Sequence, residues 1–203
     1  AAGADLVGFV HFPRSPRHVP LAAGRTLSAS ARGRAERVLL LVDPADAELD
    51  AAVTAFDPDL IQLHGRETPE RVAQVASQTG RPVMKALGIA DRADLAAIDR
   101  YDGAAARILL DAKPPAGADR PGGNGAAFDW RLVAGLGRRA DLVLSGGLTP
   151  ANVGLALALT GLAAVDVSSG VESRPGVKDP ALVAAFVAAA RAPLRADQDR
   201  SVA

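Results

Sequence analysis

The chain has 203 residues, 23 basic and 23 acidic, so its formal net charge is zero. That balance excludes the basic field of a nucleic-acid binder, and no Lys/Arg block marks a membrane-surface segment. Hydrophobic residues make up 49%, much of it Ala with few aromatics, and there is no Cys, which excludes a disulfide framework or a thiolate metal site.

In chain order, seven short apolar runs read as strands: Leu6–Phe12, Arg37–Val42, Leu60–His64, Pro82–Leu87, Arg107–Asp111, Asp141–Ser145 and Ala164–Ser168. They are near-continuous in Val, Ile and Leu, which suits strands buried on both faces of a parallel sheet. Between them lie helical patterns at Ala45–Phe56, Pro69–Thr79, Asp91–Asp99, Trp130–Arg138, Pro150–Thr160 and Pro180–Ala192. Pro69, Pro150 and Pro180 stand where Pro is tolerated best, with Thr68, Thr149 and Asp179 before them as N-caps. The βα alternation runs without a composition shift, which predicts one (β/α)8 TIM barrel over 1–192, at the small end of its size range. An open doubly wound sheet would carry a glycine fingerprint after its first strand, and this chain has PRSPRHV there. Closure needs eight strands and seven are visible. The chain opens Ala1-Ala2-Gly3, like a helix end with its C-cap, and its only Met is Met84. The expectation is that the first strand and most of the first helix precede Ala1. Residues 193–203 are polar and aperiodic and are expected to be a disordered tail.

The chemistry concentrates at strand ends. Asp111 closes a buried strand under a Pro- and Gly-rich loop of roughly 15 residues, far longer than ordinary βα loops. A carboxylate there sits where parallel α/β enzymes carry their reactive groups. The loop ends in a Gly123-Asn124-Gly125 turn before Phe128-Asp129-Trp130. Later, Ser145-Gly146-Gly147 and Ser168-Ser169-Gly170 end two successive strands. With a missing strand counted first, these are the seventh and eighth, whose loops commonly hold a phosphate through backbone N–H groups. Arg14 and Arg17 lie in the stiff loop after Leu6–Phe12, and their planar forks suit a carboxylate or phosphate. His11, His18 and His64 lack metal-ligand spacing. Lys85 lies on a strand interior, where a Schiff-base role is a remote alternative.

GFVHFPRSPRHV, LIQLHG, LLDAK…GGNG..FDW, LSGGLTPANV and VDVSSGVESRPGVKD, in this order, resemble the phosphoribosylanthranilate isomerase family of tryptophan biosynthesis, from Ala1 to about Ala192. The resemblance implies a (β/α)8 barrel and an Amadori rearrangement of N-(5-phosphoribosyl)anthranilate. It implies Asp111 as general acid, Arg17 on the anthranilate carboxylate, Gly146, Gly147, Ser169 and Gly170 at the phosphate, and Asp166 at the sugar. His64 is expected to line the site mouth. The family's base is a Cys on an N-terminal strand end, which this sequence lacks. The usual GGTG reads Gly122-Gly123-Asn124-Gly125, a change expected to do little harm because Asn tolerates a left-handed backbone. The acid must keep its proton near neutrality, which burial favours. The substrate's own amine makes the Schiff base, so neither cofactor nor metal is expected. The expected partner is a small-molecule phosphoribosyl substrate, with no nucleic acid and no membrane. The chain is expected to be cytoplasmic, as a monomer or weak homodimer. A histidine-pathway barrel isomerase and a non-catalytic phosphosugar-binding barrel are the rival readings.

Overall fold

In the computed structural model, residues 2–114, 122, 127–136 and 141–192 are described. The Gly123-Asn124-Gly125 turn and the 193–203 tail lie outside them. Seven strands form one parallel sheet in chain order: β1 (Leu6–Val10), β2 (Glu36–Leu41), β3 (Leu60–Leu63), β4 (Val83–Ile89), β5 (Arg107–Ala112), β6 (Leu142–Leu144) and β7 (Ala164–Val165). The helices are α1 (Leu21–Ala31), α2 (Asp46–Phe56), α3 (Pro69–Thr79), α4 (Ala97–Arg100), α5 (Val153–Thr160) and α6 (Pro180–Arg191).

Alternation along each strand builds two apolar layers. Leu39, Leu41, Ile61, Leu63, Val83, Leu87, Ile108 and Leu110 pack into the main core with α2, α3 and α5. Val38, Leu60, Met84, Ala86 and Leu109 form a separate, smaller cluster on the other face. That second face is concave. Arg107 of β5 donates to Glu36 of β2 at 3.1 Å although two strands lie between them. Only a curled sheet brings those side chains together. The ends of the curl also meet: Arg191 of α6 donates to the Gly3 carbonyl at 2.7 Å and to Asp5 at 2.8 Å. The architecture is a curled (β/α) barrel of seven strands. Among the described residues β1 and β7 are not hydrogen-bonded to each other.

Two helix starts follow the sequence reading. The Thr68 side chain accepts from the Arg71 N–H, and Asp179 accepts from those of Ala181 and Leu182. Five elements differ. Helix α1 is absent from the sequence reading because LAAGRTLSASA has no apolar stripe; its buried residues are Gly24 and Ser28. Gly24 is needed there, since a Cβ would lie 2.9 Å from the Phe56 ring. The expected helix at Pro150 begins instead at Val153: Asn152 folds back, accepting from the Thr149 N–H at 2.7 Å and donating to the Gly147 carbonyl at 3.0 Å. Thr149 is therefore held by a cap rather than acting as one. Asp91–Asp99 is a 3-10 turn (Arg92–Ala96) running into α4, and among the described residues of the expected Trp130–Arg138 helix Trp130–Val133 form a 3-10 turn. After β7 the chain makes a 3-10 turn, Ser169–Val171, and then a small antiparallel hairpin, β8 (Glu172–Arg174) with β9 (Val177–Lys178), which no period-2 pattern announced.

Candidate active site

All seven strands run in parallel, so their C-terminal ends share one rim. At that rim the concave face turns polar. Gln62 and His64 are two residues apart at the end of β3 and share a face, as Leu109 and Asp111 do on β5. His64 Nε2 lies 3.4 Å from Asp111 Oδ2, across β4. Gln62 Nε2 lies 3.0 Å from His64 Nδ1, which fixes the ring from behind. Asp111 is buried, and its Oδ1 accepts the Ala112 N–H at 2.9 Å. Gly122, in the loop after β5, closes over this pair: a Cβ there would lie 2.5 Å from His64 Nε2 and 2.8 Å from Asp111 Oδ2.

Asp166, just beyond β7, faces the same space. The Ser145 hydroxyl lies 3.3 Å from its Oδ2. Burial pushes the Asp166 carboxyl up from its ordinary range and the negative charge of Asp111 adds to this, against the pull of His64 and Ser145. That environment biases the Asp166 carboxyl toward its protonated form.

The glycine loops border this cluster. Gly146 and Gly147 both have positive φ, +85° and +67°, which L side chains rarely adopt. A Cβ on Gly146 would lie 2.8 Å from the Ala112 N, and one on Gly147 would lie 2.6 Å from the Ala127 Cβ. On Gly170 a Cβ would collide with the Leu148 carbonyl oxygen, so the two loops are in direct contact. Among the described residues neither Gly146 nor Gly147 donates its N–H to a protein acceptor, the condition for meeting an external anion.

Arg17 lies in the loop after β1, where Val19 returns to bond the Val10 carbonyl at 2.8 Å. Its Nε and Nη2 donate to the two oxygens of Glu172 at 2.7 and 2.8 Å. Sequence reasoning placed Arg17 and missed Glu172, because 155 residues separate them. It also missed Gln62, although the alternation in LIQLHG puts Gln62 and His64 on one face. Burial alone would raise the Glu172 carboxyl; hydrogen bonds from Arg17 and Lys178 override this and hold it at about 2. The three histidines do not converge. His11 and His18 pack with tilted rings, centroids 5.0 Å apart, and His11 Nδ1 lies 2.9 Å from the Val19 carbonyl.

Lys85 is not at the site. It points to the outer face of β4, buried, where its Nζ donates to the carbonyls of Leu63 and Gly65 at 3.3 and 2.8 Å and to Glu67 at 2.9 Å. An ammonium fully engaged behind the sheet has no route to a sugar carbonyl, so the Schiff-base alternative falls.

The family model described as N-(5'phosphoribosyl)anthranilate (PRA) isomerase matches residues 1–189. The chain is 59% identical over 192 residues to the N-(5'-phosphoribosyl)anthranilate isomerase of Azorhizobium caulinodans, covering 95% of this chain and 84% of that protein. Its structure superposes on the crystal structure of phosphoribosyl anthranilate isomerase from Thermotoga maritima with a TM-score of 0.82 at 36% identity, covering 93% and 89% of the two chains. It also superposes on a phosphoribosyl anthranilate isomerase in complex with reduced 1-(o-carboxyphenylamino)-1-deoxyribulose 5-phosphate, with a TM-score of 0.78 at 33% identity, covering 93% and 88%. By sequence and by fold, the chain belongs to the N-(5'-phosphoribosyl)anthranilate isomerase family.

Proposed function

We infer that this chain catalyses the Amadori rearrangement of N-(5-phosphoribosyl)anthranilate to 1-(2-carboxyphenylamino)-1-deoxyribulose 5-phosphate, in tryptophan biosynthesis. The observation that carries the reading is the buried Asp111 carboxyl with the part-buried Asp166 near it, at the rim of a curled parallel sheet, flanked by two glycine loops and an arginine loop. In the first step the Asp111 carboxyl gives its proton to the furanose ring oxygen. The C1′–O4′ bond breaks as the anthranilate nitrogen forms C1′=N, so no alkoxide is expelled unprotonated. His64, 3.4 Å from Asp111 and braced by Gln62, holds the carboxyl toward the substrate. Loss of the C2′ proton then gives an enolamine, which becomes the ketone. The family resemblance gives that proton to a Cys, and this sequence has none. Asp166 meets a sugar hydroxyl, the loops at Gly146-Gly147 and Ser169-Gly170 hold the 5′-phosphate by backbone N–H groups, and Arg17 meets the anthranilate carboxylate. The electron flow stays within the substrate, so the reaction calls for no cofactor.

The reading extends to one barrel unit over 1–192 and a small-molecule partner. Among the described residues no helix is long and apolar enough to cross a membrane; a cytoplasmic site fits the substrate. Large apolar side chains exposed on the helices are few, Leu27, Leu155 and Leu159 among them, which fits a monomer or weak homodimer. The test is turnover of phosphoribosylanthranilate, generated in situ, by the natural protein and by its Asp111→Asn variant. Asn keeps the shape and the bond from Ala112 but has no acidic proton. A loss in kcat of at least ~10²-fold is expected. Near-normal turnover of the variant would remove Asp111 from the acid role, and no turnover by the natural protein would remove the function.

A further inference from the structure

We propose that the hairpin Glu172–Lys178 is a clasp that fixes the two anion-binding parts of the site relative to each other. Glu172 is the positioning residue for Arg17, and Lys178 is the positioning residue for the Ser168–Gly170 loop. The inference rests on the reading of Arg17 and the glycine loops given above.

The clasp joins loops from the two ends of the sheet. Arg17 follows β1 and Glu172 follows β7, and those strands share no ladder among the described residues. Among the described residues the contacts that join these two loops include those of the Arg17, Glu172 and Lys178 side chains. The Arg17–Glu172 pair is bidentate, with the two side chains only 10% and 4% exposed. A bidentate guanidinium–carboxylate pair fixes the guanidinium plane as well as its position. It therefore sets the direction in which Arg17 meets a second, external carboxylate. Lys178 continues the chain of contacts. Its Nζ donates to Glu172 Oε1 at 2.9 Å and to the Ser168 carbonyl at 2.7 Å. One carboxylate thus receives the arginine of one loop and the lysine that holds the other. The hairpin backbone is also pressed onto the arginine loop. Gly176 has φ +83°, its N–H donates to Glu172 Oε2 at 3.3 Å, and a Cβ on it would collide with the Pro16 carbonyl oxygen. Glu172 stays ionised through the working pH range because both cations outweigh its burial.

A substrate with a carboxylate at one end and a phosphate at the other gains from receptors held at a fixed separation, since less ordering remains to be done on binding. A pair that merely joined the two loops would add stability without distinguishing ligands. The two roles separate by ligand. The probes are reduced 1-(o-carboxyphenylamino)-1-deoxyribulose 5-phosphate, its phenylamino counterpart lacking the carboxylate, and inorganic phosphate, each titrated against the full chain. Glu172→Gln should weaken the carboxylated probe about tenfold or more and the other less than about twofold, since a charge-assisted contact is lost only where the ligand has the charge. Equal weakening of both, or of neither, overturns the role of Glu172. Lys178→Met, at a half-exposed side chain, should raise the inhibition constant of inorganic phosphate severalfold, and an unchanged constant overturns the role of Lys178. Lys178→Met tests the Lys178 half of the clasp even where Glu172→Gln fails to fold. Arg17→Ala separates the layers of the argument. If it leaves the carboxylated probe bound as before, the reading of Arg17 fails. If it weakens that probe and Glu172→Gln does not, only the clasp fails.

Discussion

Lys85→Met tests the claim that Lys85 holds the scaffold behind the site rather than doing chemistry. Lys85 and Glu67 are each about 2% exposed at the side chain, with Nζ and Oε2 2.9 Å apart. Met keeps most of the aliphatic volume and removes the charge. Glu67 would then retain only backbone donors, the N–H of Asp43 at 2.8 Å and of Gly65 at 2.9 Å, while the Leu63 and Gly65 carbonyls lose the ammonium. Breaking a buried pair from one side costs about 3–5 kcal/mol, because the surviving charge stays buried. Against a total on the order of 5–15 kcal/mol this is a large share. For a chain of this size each kcal/mol moves Tm by roughly 2–4 °C, so a fall of roughly 6–20 °C is expected. Urea and thermal melts measure it. Adding Glu67→Gln removes the stranded charge and should recover a good part of the loss, while the amide still accepts from the loop N–H groups. At temperatures where Lys85→Met is folded it should keep most of its turnover. A melt at the natural midpoint, or no recovery in the double variant, would refute the burial argument; loss of all turnover in the folded variant would restore a chemical role for Lys85.

Asp166→Asn should trade activity for stability. Burial raises the folded-state Asp166 carboxyl above its ordinary 3.8, so the folded state binds the proton more tightly than the unfolded chain and stability falls as pH rises through the folded value. The variant is therefore expected to melt higher than the natural protein near pH 7, with the difference closing below about pH 4, and to turn over more slowly; a pH series of melts checks the crossover. Gly147→Val should abolish inhibition by inorganic phosphate, because φ +67° and the Ala127 contact at 2.6 Å exclude a side chain from that loop. Retained phosphate inhibition in a folded Gly147→Val would place the anion elsewhere. Arg17→Ala should raise KM more than it lowers kcat, read from initial rates.

Much of the fold was legible because it is locally encoded. Runs such as Arg37–Val42 and Leu60–His64 are apolar on both faces and fall within a residue or two of β2 and β3. The strand-end position of Asp111, the glycine loops and the caps at Thr68 and Asp179 follow from neighbours in sequence. LIQLHG even carries the alternation that puts Gln62 beside His64. Helix α1 was not legible, because its place against α2 depends on a glycine that accommodates the Phe56 ring, and a glycine in isolation reads as a helix breaker. The start of α5 depended on Asn152 folding back on the loop rather than on Pro150. The partners of Arg17 and Lys85 belong to the tertiary structure alone. Arg17 meets Glu172 only because the sheet curls far enough to bring the loop after β1 to the hairpin after β7. Lys85 is silent chemically only because it points to the outer face and Glu67 is folded against it. Local pattern determined which residues form strands and which strand ends carry polar groups; the curvature of the sheet decided which of those groups touch.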